Sequence, residues 1–94
     1  MLYAVYALDN PDAGAKRQAV HAEHVAHLKT AKDQGVTIAV GGPLMADDGK
    51  TSIGSLMVLD VADRATAEKF NKADPFHKNG IWAKVDIQRF DRQT

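Results

Sequence analysis

The sequence contains no cysteine and carries no excess of charge of either sign. Without cysteine the chain can form neither a disulfide framework nor a thiolate metal site, which suits a reducing compartment. Its 12 Lys and Arg residues balance its 12 Asp and Glu residues, and the basic residues form no cluster. We therefore expect neither nucleic acids nor anionic membranes as partners. We expect a cytoplasmic protein.

The sequence also lacks any apolar run long enough to cross a bilayer. The run at residues 2–8 is far too short, no basic residue precedes it, and Asp9 follows at once, so we interpret it as a β-strand. The 94 residues are expected to form one domain, residues 1–94. A chain of this length buries only about 60 to 65% of its unfolded surface, so a second copy would supplement a thin core.

The first half of the chain predicts strand, helix, strand and strand. After the strand at residues 2–8, Asp9-Asn10-Pro11 supplies a helix cap and a first-turn proline, and the helix is expected to run to about Gln34, with Gly35 ending it. A second strand at residues 36–40 enters Gly41-Gly42-Pro43, which we interpret as a turn. A polar loop containing Asp48-Gly49 leads to a third strand at residues 52–61.

The second half predicts helix, turn and strand. Asp63 is expected to cap a helix that runs to about Ala73. Residues 75–79 form one further helical turn ended by Gly80, and residues 81–90 alternate as a last strand. The order βαββαβ predicts an α+β fold of the ferredoxin-like type, with an antiparallel sheet and both helices on one face.

Neither side of the predicted first and third strands is polar. Leu2, Ala4 and Tyr6 lie on one side of the first strand, and Tyr3 and Val5 lie on the other. Because the helices can cover only one face of the sheet, the opposite apolar face needs another cover. We predict a homodimer in which sheet packs on sheet.

Polar residues interrupt the apolar face of the first helix. On a helical wheel, Arg17, His21 and His24 project within roughly 40° of a stripe centred on Leu28. Burying such groups without partners costs on the order of 1 to 3 kcal/mol each. The face therefore either opens onto a cavity, where a small molecule would bind, or extends past the sheet into solvent.

The remaining histidines give no metal motif. His21, His24 and His27 are spaced by three residues, so their side chains step around the helix and cannot all converge on one ion. We predict no metal site and no cofactor, and we interpret His27 as a surface residue.

Four further positions are candidates for the site. Asp74 precedes Pro75, a pattern that on local sequence alone favours helix capping over catalysis. Gly42 and Pro43 could present backbone to a ligand, although two glycines are too few for a phosphate loop. Ser55 could supply a hydroxyl from the third strand, although serine in a strand usually indicates only tolerance.

An ordered set of residues across nearly the whole chain resembles the YciI-like, or YCII-related, family. The matching positions are Tyr3, Arg17, His24-Val25-x-x-Leu28, Gly35, Gly42-Pro43, Gly54-Ser55, Ala67, Asp74-Pro75-Phe76 and Gly80. The resemblance implies a homodimer of the dimeric α+β barrel type. It also implies a cleft at the boundary of helix and sheet that contains a histidine and an aspartate, here His24 and Asp74.

The resemblance directs the functional hypothesis. One relative eliminates chloride from a hydroxylated aromatic ring, and muconolactone isomerases share the broader architecture. We therefore expect His24 to act as general acid or base and Asp74 to orient it, in an elimination, isomerisation or lactone-type reaction on a small oxygenated metabolite. Arg17, His21, Ser55, Gly42 and Pro43 would bind the substrate. The alternatives are a binding module without catalysis and a structural dimer in which His24 and Asp74 satisfy each other.

Overall fold

One antiparallel sheet and three helices make up the fold. The computed structural model describes residues 1–94, with the elements β1 (Leu2–Asp9), α1 (Gly14–Leu28), β2 (Thr37–Met45), β3 (Ser52–Asp60), α2 (Arg64–Lys72), α3 (Pro75–Lys78) and β4 (Trp82–Phe90). The strands lie in the order β2-β3-β1-β4. This arrangement confirms the predicted ferredoxin-like α+β fold. No helix combines the length and the apolar character that crossing a membrane requires.

Helix α1 is shorter than the sequence predicts at both ends. Asp9-Asn10-Pro11 does not cap this helix, because Asp9 ends β1 and the side-chain amide of Asn10 donates to the Gly80 carbonyl oxygen at 2.8 Å. After Leu28 the chain turns and forms a separate 3₁₀ turn, Lys32–Gln34. Gly35 ends that turn at a φ of 73°, as predicted.

Gly41-Gly42-Pro43 is not a turn, so this prediction is wrong. The three residues continue β2 and pair with Met57, Leu56 and Ser55 of β3. Because β2 is an edge strand, the missing N–H of Pro43 need not cost the sheet a hydrogen bond. The chain instead reverses at Gly49, which has a φ of 71°, beside the Asp48 carboxylate, which accepts from the backbone N–H groups of Lys50 and Thr51.

The other predicted caps are present. Asp63 accepts from the Thr66 N–H at 2.8 Å and begins α2. Asp74 accepts from the Phe76 N–H at 2.9 Å and begins α3, which is followed by Gly80 at a φ of 69°. These short connections fix the position of α3 between α2 and β4.

The two faces of the sheet differ in burial. Beneath the helices, Tyr3, Val5 and Ala7 of β1 are buried together with Met57 and Leu59 of β3. The opposite face is apolar across three strands and is only partly covered. Its cross-strand rows are Val40, Val58 and Ala4, and Gly42, Leu56 and Tyr6. Val40 is 54% exposed and Tyr6 is 44% exposed.

Gly54 provides a test of the packing between β1 and β3. A Cβ atom at this position would overlap the carbonyl oxygen of Ala7 on the paired strand. We predict that Gly54→Ala lowers the free energy of unfolding by about 1 to 3 kcal/mol, measured by urea denaturation. Gly14→Ala is the control, since a Cβ there meets nothing within 4 Å. Equal urea midpoints for Gly54→Ala and the unsubstituted protein would contradict this packing.

Candidate functional site

One side of α1 forms the wall of a cavity of about 310 Å³. Four elements line it: α1 with Arg17, His21, His24, Val25 and Leu28; β2 with Ile38, Gly41, Gly42 and Pro43; β3 with Ser52, Ser55 and Met57; and α3 with Phe76. The polar positions on the predicted apolar face thus face this cavity. The alternative of a fully solvated helix end is wrong for Arg17 and His24, whose side chains are each 11% exposed.

His24 and Asp74 are in direct contact although 50 residues separate them. His24 Nδ1 lies 2.7 Å from Asp74 Oδ1. The Asp74 side chain is fully buried and does not line the cavity, and its Oδ1 also accepts from the Phe76 N–H. Capping and pairing with histidine are therefore compatible, because one carboxylate oxygen does both. The second oxygen, Oδ2, is buried without a protein partner.

The contact with Asp74 determines which nitrogen of His24 is basic. A carboxylate only accepts hydrogen bonds, so Nδ1 carries the proton that is shared with Asp74. In the neutral ring, Nε2 then holds the lone pair. Nε2 forms no hydrogen bond within the protein, and His24 lines the cavity. The arrangement thus presents one proton-accepting nitrogen for a ligand.

Phe76 fixes the plane of the His24 ring. The two rings stack with centroids 3.9 Å apart and planes 5° from parallel. Trp82 packs its ring edge against Phe76, with centroids 5.9 Å apart. Because the Asp74 cap and Phe76 are two residues apart at the start of α3, one short helix orients the imidazole through both a hydrogen bond and a ring contact.

Arg17 lines the cavity and forms an ion pair with Asp9, the last residue of β1. Its Nη1 lies 2.9 Å from both carboxylate oxygens of Asp9, and its Nη2 donates to the Gly54 carbonyl oxygen at 3.0 Å. Burial raises the pKa of the Asp9 carboxyl, and the Arg17 guanidinium beside it partly offsets that rise. The charge of Arg17 is therefore shared with Asp9 before any ligand binds.

Ser55 is the polar group that β3 contributes to the cavity. It is 5% exposed, and its Oγ accepts from Arg17 Nη2 at 3.0 Å and from Trp82 Nε1 at 3.3 Å. On the neighbouring strand, a Cβ at Gly41 would stand 3.3 Å from Ile38 Cγ2 and 3.4 Å from Met57 Cγ, and both of these side chains line the cavity. Gly42 and Pro43 line the cavity from the edge strand.

The remaining histidines of α1 have different environments. His21 is exposed and lines the cavity, with its ring 6.3 Å from that of His24. His27 is not a surface residue as predicted: its Nε2 lies 2.9 Å from the Phe70 carbonyl oxygen and its ring stacks on Phe70 at 4.4 Å. It joins α1 to α2. No group of three or more potential ligand side chains is placed to hold a metal ion.

Sequence reasoning misses three contributors to this site. Asp9 is assigned to a helix cap, Phe76 is only part of a motif, and Trp82 is given no role. A local signal exists for Phe76 alone, as the residue that follows Asp74-Pro75. The roles of Asp9 and Trp82 depend on strand register, because both lie where β1 meets β4, paired across a shift in register.

Comparisons with known proteins identify relatives of this chain along nearly its whole length. The model of the YCII-related domain matches residues 1–91. The proteins named YciI from Escherichia coli O6:H1 and from Shigella flexneri are each 29% identical to this chain over 97 residues, which cover 98% of this chain and 98% of each relative.

A solved structure shares the fold over nearly the full length of both chains. The 5-chloro-2-hydroxyhydroquinone dehydrochlorinase TftG from Burkholderia phenoliruptrix, in complex with 2,5-dihydroxybenzoquinone, superposes with a TM-score of 0.86 at 29% identity. The alignment covers 99% of this chain and 96% of that one. With the family model matched over nearly all of its length, the chain belongs to the YCII-related family.

Proposed function

We propose that this protein is an enzyme that moves a proton on a small oxygenated, aromatic-derived metabolite in the cavity beside α1. The observation that carries the proposal is the 2.7 Å contact between His24 Nδ1 and the fully buried Asp74, which leaves His24 Nε2 unpaired at the cavity. The similarity to a dehydrochlorinase supports the substrate class. We retain the cytoplasm as the predicted location.

The proposed chemistry needs a base and a group that stabilises the base once it is protonated. His24 Nε2 takes a proton from an O–H or C–H group of the substrate, and Asp74 stabilises the positive charge that the ring acquires. In an elimination the leaving group departs with its bonding electrons. In an isomerisation or lactone-type reaction His24 returns the proton to another atom.

The role of the other cavity residues follows from their partners. Because Asp9 already neutralises Arg17, we propose that Arg17 organises the site and contributes only part of its charge to an anionic substrate oxygen. His21, which is exposed at the cavity, would contact the substrate from the solvent side. Gly42 and Pro43 would form the wall against which a planar ring lies.

Substitution of His24 tests the base directly. We predict that His24→Gln lowers kcat by about 100-fold or more, because no other side chain lining the cavity has this unpaired basic nitrogen held by a carboxylate. Turnover is followed by mass spectrometry on a panel that includes 5-chloro-2-hydroxyhydroquinone, lactones and catechol-derived acids. His77→Gln is the control, since His77 is exposed and lies outside the cavity.

The outcomes of this experiment separate the candidate functions. Product formation that is lost in His24→Gln and kept in His77→Gln supports the enzyme. Saturable binding without product from any compound would favour the non-catalytic binding module. Full activity of His24→Gln would eliminate His24 as the base.

The charge of Asp74 is tested by an isosteric change. Asn at this position keeps an oxygen that can accept from the Phe76 N–H and from His24 Nδ1–H, but it removes the negative charge. We predict that Asp74→Asn keeps the fold by circular dichroism and lowers kcat by about 10- to 100-fold. Asp47→Asn, in the exposed β2–β3 loop, is the control. Unchanged kcat in Asp74→Asn would assign Asp74 to capping alone.

We also propose that two copies pair through the exposed face of the sheet. Its apolar rows on β2, β3 and β1 are half-buried or exposed in a single chain, and burying them would remove further apolar area from water. The polar residues of β4 on this face, Lys84, Asp86 and Gln88, would lie toward the rim.

A charge placed on this face should separate the copies. We predict a dimer by light scattering at micromolar concentration and a monomer for Val40→Glu, because the carboxylate would be desolvated at the interface. Ala22→Glu, on the exposed side of α1, is the matched control and should remain a dimer. A stable monomer of the unsubstituted protein would refute the proposed interface.

A further inference from the structure

The proton that His24 accepts in an elimination has to leave the site before the next turnover. The substrate then loses one proton and one leaving group, and the proton stays on His24 Nε2. The other ring nitrogen offers no exit, because Nδ1 contacts Asp74, whose side chain is fully buried. The His24 side chain itself is only 11% exposed. The route to solvent therefore leads through the cavity that His24 lines.

Apart from His24, only His21 among the residues that line the cavity can both take and release a proton near neutral pH. The Arg17 guanidinium stays protonated, so it cannot accept a proton. The Ser55 oxygen already accepts from Arg17 Nη2 and from Trp82 Nε1, which engages both of its lone pairs. The remaining lining residues carry apolar or hydroxyl side chains or are glycines, and they do not titrate in this range.

His21 reaches both the cavity and the solvent. It lies one helical turn before His24 on the same side of α1, with the ring centroids 6.3 Å apart and the ring planes tilted by 40°. The two rings share no direct hydrogen bond at this separation, and one water molecule is enough to connect their nitrogens. His21 is exposed, and neither of its ring nitrogens has a hydrogen-bond partner in the chain.

We propose that His21 relays to solvent the proton that His24 takes from the substrate, and that the reaction is an elimination. The inference rests on the proposed function. An O–H or C–H bond of the substrate breaks and its electrons form a new double bond, while the leaving group departs as an anion with its own bonding electrons. His24 Nε2 passes the proton through one water to His21, which releases it to solvent. An isomerisation returns the proton to the substrate and needs no such exit.

Turnover of 5-chloro-2-hydroxyhydroquinone in dilute phosphate, followed by chloride release, tests the relay. We predict that His21→Gln lowers kcat about tenfold and that added free imidazole restores it saturably, because imidazole can carry the proton in place of the missing side chain. Gln still offers polar contacts to the substrate, so KM changes less than kcat. The unsubstituted protein does not respond to imidazole. His77→Gln is the matched control, since it makes the same change at an exposed histidine outside the cavity.

The response to imidazole separates a relay from a contact with the substrate. If His21→Gln raises KM and imidazole does not restore its kcat, His21 only contacts the substrate and the relay is overturned. Equal kcat for His21→Gln and the unsubstituted protein without imidazole also overturns the relay.

Failure of this inference is distinguishable from failure of the proposed function. If kcat depends on His24 but not on His21, the relay is overturned and His24 remains the base. If the unsubstituted protein converts another compound of the panel without loss of a leaving group, the elimination and the relay are overturned and the proposed base stands. If it converts no compound of the panel, the proposed function fails and the relay fails with it.

Discussion

The hydrogen bond between His24 Nδ1 and Asp74 Oδ1 is the interaction on which the rest of the site depends. It joins the middle of α1 to the start of α3, and it is buried, so it determines both the orientation of the imidazole and which of its nitrogens is basic. Asp74 can make this contact only because the α3 cap holds its carboxylate in place. A local rule of helix initiation thus contributes to the geometry of the candidate site.

The fold surrounds this contact with two more constraints. Phe76, two residues after Asp74, stacks on the imidazole and limits its rotation. Arg17, which is paired with Asp9, and Trp82 both donate to the Ser55 hydroxyl oxygen. A histidine from a helix and a serine hydroxyl from a strand consequently line one cavity, and each is hydrogen-bonded to other groups of the protein. Such support is typical of sites where orientation matters for function.

Much of the architecture could be predicted from the sequence because its signals are local. Caps at Asp63 and Asp74 and the positive-φ glycines at Gly35 and Gly80 depend on neighbouring residues, and the structure confirms them. The prediction of a turn at Gly41-Gly42-Pro43 is wrong because glycine and proline are tolerated in an edge strand, and the position of this segment at the edge is set by the pairing of distant segments.

The candidate site can be predicted only in part, because many of its contacts also depend on segments that are distant in sequence. Helical periodicity brings Arg17, His21 and His24 to one face, and this prediction needs no tertiary information. The hydrogen-bond partners of the site come from elsewhere in the chain. Asp9, at the end of β1, pairs with Arg17, and Trp82, at the start of β4, donates to Ser55. The carbonyl oxygen of Phe70 in α2 contacts His27. Strand register and helix packing decide these contacts, and single-sequence patterns do not contain them.

Nitrogen NMR of the His24 imidazole measures which ring nitrogen carries the proton, and it needs no knowledge of the substrate. Near neutral pH, we expect for the neutral ring a protonated Nδ1 bonded to Asp74 and an unprotonated Nε2 whose resonance moves when a ligand enters the cavity. A neutral ring with its proton on Nε2, or an Nε2 resonance that stays unchanged with every ligand that binds, would show that Asp74 does not prepare Nε2 as the base.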